Sequence, residues 1–239
     1  MTAAWVTPPT RLELGEHEIA VWKTILEREP SDIARLRETL SEDEQERASR
    51  FHFARDRDHF IIARGTLKML LGEYLGTPAR GVRFRYSAQR KPTLDAEHPS
   101  IDFNISHTQN MAVFAFARHR RIGIDVEKIQ RDFNVEDIAK RYFSVCECQE
   151  LFSLPSELQS EAFFLGWTRK EAYLKARGEG LHLPLDSFSV SLTPAQPPGF
   201  REGVRPEWQI QSASAADEYP IAVVYDGLPA LLRFFEVTV

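Results

Sequence analysis

The stretch GWTRKEAYLKA, residues 166–176, is typical of a helix and carries a carboxylate among large apolar side chains. Ser156, with Gln159 three residues later, is a helix start signal, and Gly178 is a stop signal. Together they predict one long helix over residues 157–177, so the position of each side chain around the helix axis can be worked out.

Glu171 falls on a face of this helix that is otherwise apolar. At about 100° per residue, it shares one arc with four large side chains, which are Phe163, Phe164, Trp167 and Leu174. Arg169 falls on the opposite side, and Lys175, one turn after Glu171, lies at the edge of the arc. A carboxylate that faces inward needs a cation. The helix alone therefore leaves two interpretations open, a structural ion pair or a functional site.

The composition is that of an ordinary soluble fold. Charged residues make up 27% of the 239 residues and hydrophobic residues 43%, and the net charge is −5. Nucleic-acid binders usually carry a basic domain or stripe. The chain starts without a basic segment followed by an apolar one, and apolar runs such as 111–117 are too short to span a bilayer. We expect a cytoplasmic protein, a monomer, whose partners include neither nucleic acid nor a membrane.

Two similar series of elements follow one another along the chain. The first series is predicted from strand patterns and from the capping box of Ser41 and Glu44: a strand at 18–26, helices at 41–51 and 56–76, and strands at 82–87, 101–106 and 111–117. The second series repeats this order in outline: a strand at 121–129, helices near 135–143, 146–152 and 157–177, and strands at 187–192, 207–212, 221–226 and 232–237. Two α+β halves are therefore plausible.

Two further carboxylates occur in the predicted strand RIGIDVEKI, residues 121–129. Asp125 and Glu127 are two residues apart, so both side chains point to the same face of the strand. Either they are solvated on an exposed face, or a divalent cation relieves their repulsion. If Glu171 joins them, the three carboxylates suit magnesium that carries waters and a phosphate-bearing substrate, and Lys175 would face the charge of that substrate.

Hydroxyl, imidazole and cationic groups cluster in the sequence around a predicted strand end. Ser106 and His107 belong to FNISHT, residues 103–108, and Arg90 and Lys91 precede that strand. Such groups can together hold phosphate, whereas each of them taken singly is more often structural or solvated.

Taken together, these motifs resemble the Sfp-type 4′-phosphopantetheinyl transferases. The resemblance depends on five motifs in order between residues 90 and 190, supported upstream by RFHFARDRDHFIIAR: RKPTL, FNISHT, IGIDVEK, WTRKEAYLKARGEGL and LPLDSFSV. It implies an α+β fold, a pseudo-dimer of two similar α+β halves with the active site between them. We expect residues 1–117 to form the N-terminal half and residues 118–239 the C-terminal half that carries the metal ligands, with the extreme C-terminus free to pack back on the first half.

The resemblance also implies the reaction. The family transfers the 4′-phosphopantetheine arm of coenzyme A to a serine of an apo acyl or peptidyl carrier protein and releases adenosine 3′,5′-bisphosphate. By motif match, Asp125, Glu127 and Glu171 resemble the ligands of a magnesium ion on the coenzyme A pyrophosphate, which Lys175 contacts. Glu127 or Glu171 would accept the proton of the serine, directly or through a metal-bound water, and both remain open.

Five residues match positions around the nucleotide. Ser106 and His107 resemble the residues that hold the 3′-phosphate, while Arg47, Arg90 and Lys91 resemble cationic or loop positions near it. The acidic run SEDEQE stands where some relatives carry a second basic residue before the position of Arg47.

Carrier proteins are typically acidic around the modified serine, so the resemblance implies a basic patch. Arg118, His119, Arg120 and Arg121 are one candidate, and a solvated basic turn is the alternative.

Two other classes of function fit the residues less well. A metal-dependent nuclease usually places Glu and Lys two apart on a strand, whereas Glu171 and Lys175 are four apart on a helix. A non-enzymatic module that binds coenzyme A or a carrier protein would be expected to have lost one of the three carboxylates or the lysine. All four residues are present, namely Asp125, Glu127, Glu171 and Lys175.

Overall fold

The computed structural model describes residues 4–89, 91–95, 101–178 and 183–237. These residues form a mixed α+β fold with two separate main sheets, which confirms the predicted fold class. No helix in these ranges is long and apolar enough to cross a membrane.

The elements follow one another in two series in the predicted order, together with one helix and two short strands that were not predicted from the sequence. The first comprises β1 (Glu18–Ile25), α1 (Pro30–Glu38), α2 (Glu42–Ser49), α3 (Ala54–Leu75), β2 (Phe84–Tyr86), β3 (Pro92–Leu94), β4 (Asp102–Thr108) and β5 (Met111–Ala117). The second comprises β6 (Ile122–Val126), α4 (Val135–Tyr142), α5 (Val145–Ser153), α6 (Ser156–Arg177), β7 (Ser189–Val190), β8 (Phe200–Glu202), β9 (Trp208–Ala216), β10 (Tyr219–Asp226) and β11 (Leu231–Glu236).

The two main sheets pack on each other through a shared apolar layer. One has the strand order β11-β1-β5-β4 and the other β6-β10-β9. All seven residues of β5 are buried, because one face of the strand packs against the helices of the first series while the other meets β6 and β10. Strand β11 pairs in parallel with β1, so the last described strand joins the first sheet. The division at residues 117 and 118 stays a prediction.

The long helices α3 and α6 repeat the same design, which supports two similar halves. Both have 22 residues and both end at a left-handed glycine, Gly76 or Gly178. Each also carries a buried lysine that pairs with the glutamate of a capping box on a preceding short helix. The two pairs are Lys68 with Glu44 at 2.8 Å and Lys170 with Glu147 at 2.7 Å.

One detail predicted for α6 is wrong. Ser156 does not cap the helix but is its first residue, because Pro155 occupies the N-cap position, and the Gln159 side chain donates to Leu154 O instead. Arg169, on the opposite side of α6, is buried as well. It is 2% exposed because β9 and the chain after β7 cover that side of α6, where Arg169 donates to Ser191 O and Ser212 Oγ.

Candidate functional site

The predicted site residues Ser106, Asp125 and Glu127 belong to one polar cluster. This cluster lies where the edge strand β4 of one sheet meets the edge strand β6 of the other. Alternate residues of β4 project toward the chain around β6. The Asn104 side chain accepts from Ile124 N at 2.9 Å, which fixes the spacing of the two strands. Beyond it, Ser106 Oγ donates to Asp125 Oδ1 at 2.8 Å and Thr108 Oγ1 to Glu127 Oε2 at 3.2 Å.

Helix α6 reaches this cluster because Gly123 lets it lie directly on β6. A Cβ atom at Gly123 would overlap Ala172 O and Ala176 N of the helix backbone. The close approach brings the side chain of Lys175, in the last turn of α6, over the edge of β6. Gly123 carries no functional group, but it helps to position the carboxylate of Glu171 and the ammonium group of Lys175, both on α6.

Lys175 is the centre of a three-group network. Its Nζ donates to Asp125 Oδ1 at 2.6 Å and to Ser106 Oγ at 2.8 Å. Asp125 is 3% exposed, and its second oxygen, Oδ2, is buried without a hydrogen-bond partner. A buried carboxylate oxygen that makes no hydrogen bond is rare in folded proteins and marks a place where a ligand can bind.

The three predicted carboxylates lie within one another's electrostatic field. Burial, then the charge of Asp125, raises the pKa of Glu127 to about 7. The same two causes raise the pKa of Glu171, which Lys175 partly offsets. Across residues 4–89, 91–95, 101–178 and 183–237, no three His, Cys, Asp or Glu side chains converge closely enough to hold a metal ion by themselves.

A second histidine lies near His107 and was not found from the sequence. The pKa of His107 is lowered chiefly by desolvation, then by the charges of Lys175 and of His59 in α3. The His59 Nε2 atom is buried and has no hydrogen-bond partner. A single histidine on a helix gives no sequence signal, since only the fold brings α3 to the end of β4.

Lys91 is tied to the backbone rather than projecting freely. Its Nζ donates to Lys175 O at 2.5 Å and to Ile122 O at 3.2 Å, and burial lowers its pKa to about 8. It thus fastens the end of α6 to β6. Arg90 lies outside the described residues. Arg47 is exposed on α2, where its guanidinium lies 4.9 Å from the Phe60 ring centre, and none of its contacts among the described residues reaches the cluster.

Comparison with known proteins identifies the family. The 4′-phosphopantetheinyl transferase superfamily matches residues 121–224, and the N-terminal region of 4′-phosphopantetheinyl transferases matches residues 26–119. The 4′-phosphopantetheinyl transferase HetI of Nostoc sp. is 37% identical over 225 residues, which cover 93% of this chain and 94% of that protein. The chain belongs to the 4′-phosphopantetheinyl transferases.

Other 4′-phosphopantetheinyl transferases are also similar to this chain in sequence. Sfp of Bacillus subtilis is 33% identical over 153 residues, covering 64% of this chain and 66% of Sfp. The human L-aminoadipate-semialdehyde dehydrogenase-phosphopantetheinyl transferase is 31% identical over 65% of this chain and 54% of its own length. A solved holo-(acyl-carrier-protein) synthase from Bacillus anthracis matches 45% of this chain and 96% of its own, with 21% identity and a TM-score of 0.34. The similarity to HetI and Sfp confirms the predicted resemblance to the Sfp type.

The basic stretch 118–121 of this transferase is largely bonded to its own chain. Arg118 and Arg120 donate to backbone carbonyls. Arg121 pairs with Asp226 at 2.8 Å. These contacts favour a structural basic turn over a free docking patch.

Proposed function

We propose that this protein transfers the 4′-phosphopantetheine arm of coenzyme A to a serine of an apo acyl or peptidyl carrier protein. The reaction uses magnesium and releases adenosine 3′,5′-bisphosphate. Membership of the transferase family supports the reaction class. The observation that most supports the site is the network of Lys175, Asp125 and Ser106, which joins β4, β6 and α6 beside two further carboxylates.

The residues fit a magnesium ion. Asp125 Oδ2 is buried and lacks a hydrogen bond, and burial, followed by the charge of Asp125, raises the pKa values of Glu127 and Glu171, so their carboxylates lie within the electrostatic field of Asp125. Magnesium prefers oxygen ligands and usually takes one or two carboxylates together with waters and substrate phosphates, so a closed cage of three side chains is not needed. When bound, the ion would offset charge on the coenzyme A pyrophosphate.

The remaining residues bind the substrate in this proposal. Lys175 contacts the pyrophosphate and offsets the charge that develops on the leaving group. Ser106 and His107 hold the 3′-phosphate, and Arg47 and Arg90 supply cations around the nucleotide. Lys91 acts through its backbone contacts, by holding the end of α6, including the backbone of Lys175, against β6.

The chemical step needs a proton acceptor. The hydroxyl oxygen of the carrier serine attacks the β-phosphorus, the bond from that phosphorus to the oxygen of the departing nucleotide breaks, and the serine proton passes to a base. Glu127 and Glu171 both lie beside Asp125 and both have raised pKa values, so each remains a candidate. The carrier class, the monomeric state and the cytoplasmic location stay predictions.

Intact-protein mass spectrometry tests the proposal. Purified protein, coenzyme A and magnesium should add one phosphopantetheine group to an apo carrier protein and release one equivalent of adenosine 3′,5′-bisphosphate. Chelation with EDTA should stop the reaction, and added magnesium should restore it. If fatty acid, polyketide and peptide carrier proteins all remain unmodified while Bacillus subtilis Sfp modifies them in parallel, the proposal is wrong.

A further inference from the structure

Lys175 Nζ pairs with Oδ1 of Asp125, whose other oxygen, Oδ2, is buried without a hydrogen-bond partner. We propose that Lys175 is an exchangeable placeholder, whose ammonium group holds Asp125 in the free enzyme and leaves it for the substrate pyrophosphate when a divalent cation and coenzyme A bind together. This inference rests on the proposed function and adds an ordered exchange of cations at one carboxylate.

The two partners differ in how far they can move. Asp125 lies in β6, and its side chain is 4% exposed, whereas that of Lys175 is 29% exposed. Lys175 is in the last turn of α6 and has a flexible four-carbon stem with three donors on its ammonium. The ion pair can therefore open by movement of Lys175 alone, while Asp125 stays in place.

The charges around Asp125 favour an exchange over the addition of a second cation. With Lys175 at Asp125 Oδ1, a divalent ion at the unpartnered Oδ2 would lie close to an ammonium group, and the two cations would repel each other. Removal of Lys175 leaves Asp125 beside Glu127 and Glu171, two carboxylates whose pKa values are raised by burial and then by the charge of Asp125. That set is strongly attractive to a hard cation.

The exchange predicts that the metal and coenzyme A bind cooperatively. The pyrophosphate offers Lys175 an alternative anion, which releases Asp125 for the metal. By thermodynamic linkage, each ligand then tightens the binding of the other by the same factor.

Manganese binding to the purified 239-residue protein tests the cation exchange directly. The concentration of free Mn²⁺ is measured by electron paramagnetic resonance, with and without coenzyme A. Lys175→Met should bind Mn²⁺ at least about tenfold more tightly than wild type without coenzyme A, because the competing cation is gone. Coenzyme A should tighten Mn²⁺ binding in wild type and have a much smaller effect in the variant. Lys140→Met is the matched control, because it also removes a lysine paired with a carboxylate, Glu136 of α4, and it should change neither affinity.

Ser106→Ala provides a second variant if Lys175→Met does not fold, as judged by circular dichroism. It removes one anchor of the ammonium group together with a hydrogen bond to Asp125 Oδ1, so it is compared with wild type without coenzyme A only, where it should tighten Mn²⁺ binding by a smaller factor than Lys175→Met. Unchanged Mn²⁺ affinity in the folded variants, or equal wild-type affinity with and without coenzyme A, overturns the placeholder. If wild type still modifies a carrier protein in that case, the placeholder fails while the proposed function stands.

Discussion

Lys170, the residue before Glu171, is expected to be essential for the stability of the half that carries the site. Its side chain and that of Glu147 are both fully buried and lie 2.7 Å apart. Lys170 also donates to Leu185 O and Phe188 O, so Lys170→Met would leave a buried carboxylate without its cation. Breaking one side of such a pair costs about 3–5 kcal/mol, which is a large part of the roughly 5–15 kcal/mol that stabilises a typical domain.

Urea unfolding, followed by circular dichroism, measures this loss. Lys140→Met serves as the control, because its ion pair with Glu136 is exposed on α4 and its removal should leave the free energy of unfolding nearly unchanged. The double variant Glu147→Gln with Lys170→Met should recover part of the loss, because no unpaired buried charge remains. A loss below about 1 kcal/mol in Lys170→Met would refute the reasoning.

Two further substitutions test how the site is built. In metal-free protein, Glu127 has a pKa raised from 4.5 to about 7, so it contributes stability below about pH 4.5 that is lost as pH rises through about 7. Glu127→Gln should remove this dependence and be about 1–2 kcal/mol more stable than wild type at pH 8, after allowance for solvent screening, and nearly equally stable at about pH 4, below the unfolded pKa. Urea titrations in EDTA that show the same pH slope for both proteins would contradict this. Gly123→Ala should lower the free energy of unfolding by about 1–3 kcal/mol, because the added Cβ would overlap Ala172 O and Ala176 N. Gly199→Ala is the control and should have little effect, because no atom lies closer than 3.9 Å to its added Cβ. Equal effects of the two substitutions in the same assay would count against the close packing of α6 on β6.

Local sequence signals predicted most of the elements, because the start and end of a helix or strand depend largely on neighbouring residues. The left-handed glycines Gly76 and Gly178 ended both long helices as expected. Apolar periodicity was less informative for α6, because this helix is covered on more than one side. Arg169 and Lys170 are charged and would be expected at the surface, but both are buried. Glu147, which pairs with Lys170, lies on another helix, so the sequence of α6 alone does not show the pair.

The site was predictable in part. Strand alternation placed Asp125 and Glu127 toward one side, and both indeed meet hydroxyl groups of β4, although β6 ends at Val126 and Glu127 follows it. The contributions of Thr108, His59 and the backbone contacts of Lys91 were not predictable, because they depend on how two sheets and three helices pack. No pattern within a single element encodes these distances.

The most direct test of the central claim is phosphopantetheine transfer by Glu171→Gln, measured by intact-protein mass spectrometry together with the thermal unfolding midpoint. Glu161→Gln, on the same helix α6, is the control and should transfer at the wild-type rate. If Glu171 belongs to the active site, Glu171→Gln should lose at least about 100-fold in rate and keep a midpoint equal to or above that of wild type. Near-normal transfer, or loss of activity only because the protein unfolds, would contradict the account and favour a structural ion pair.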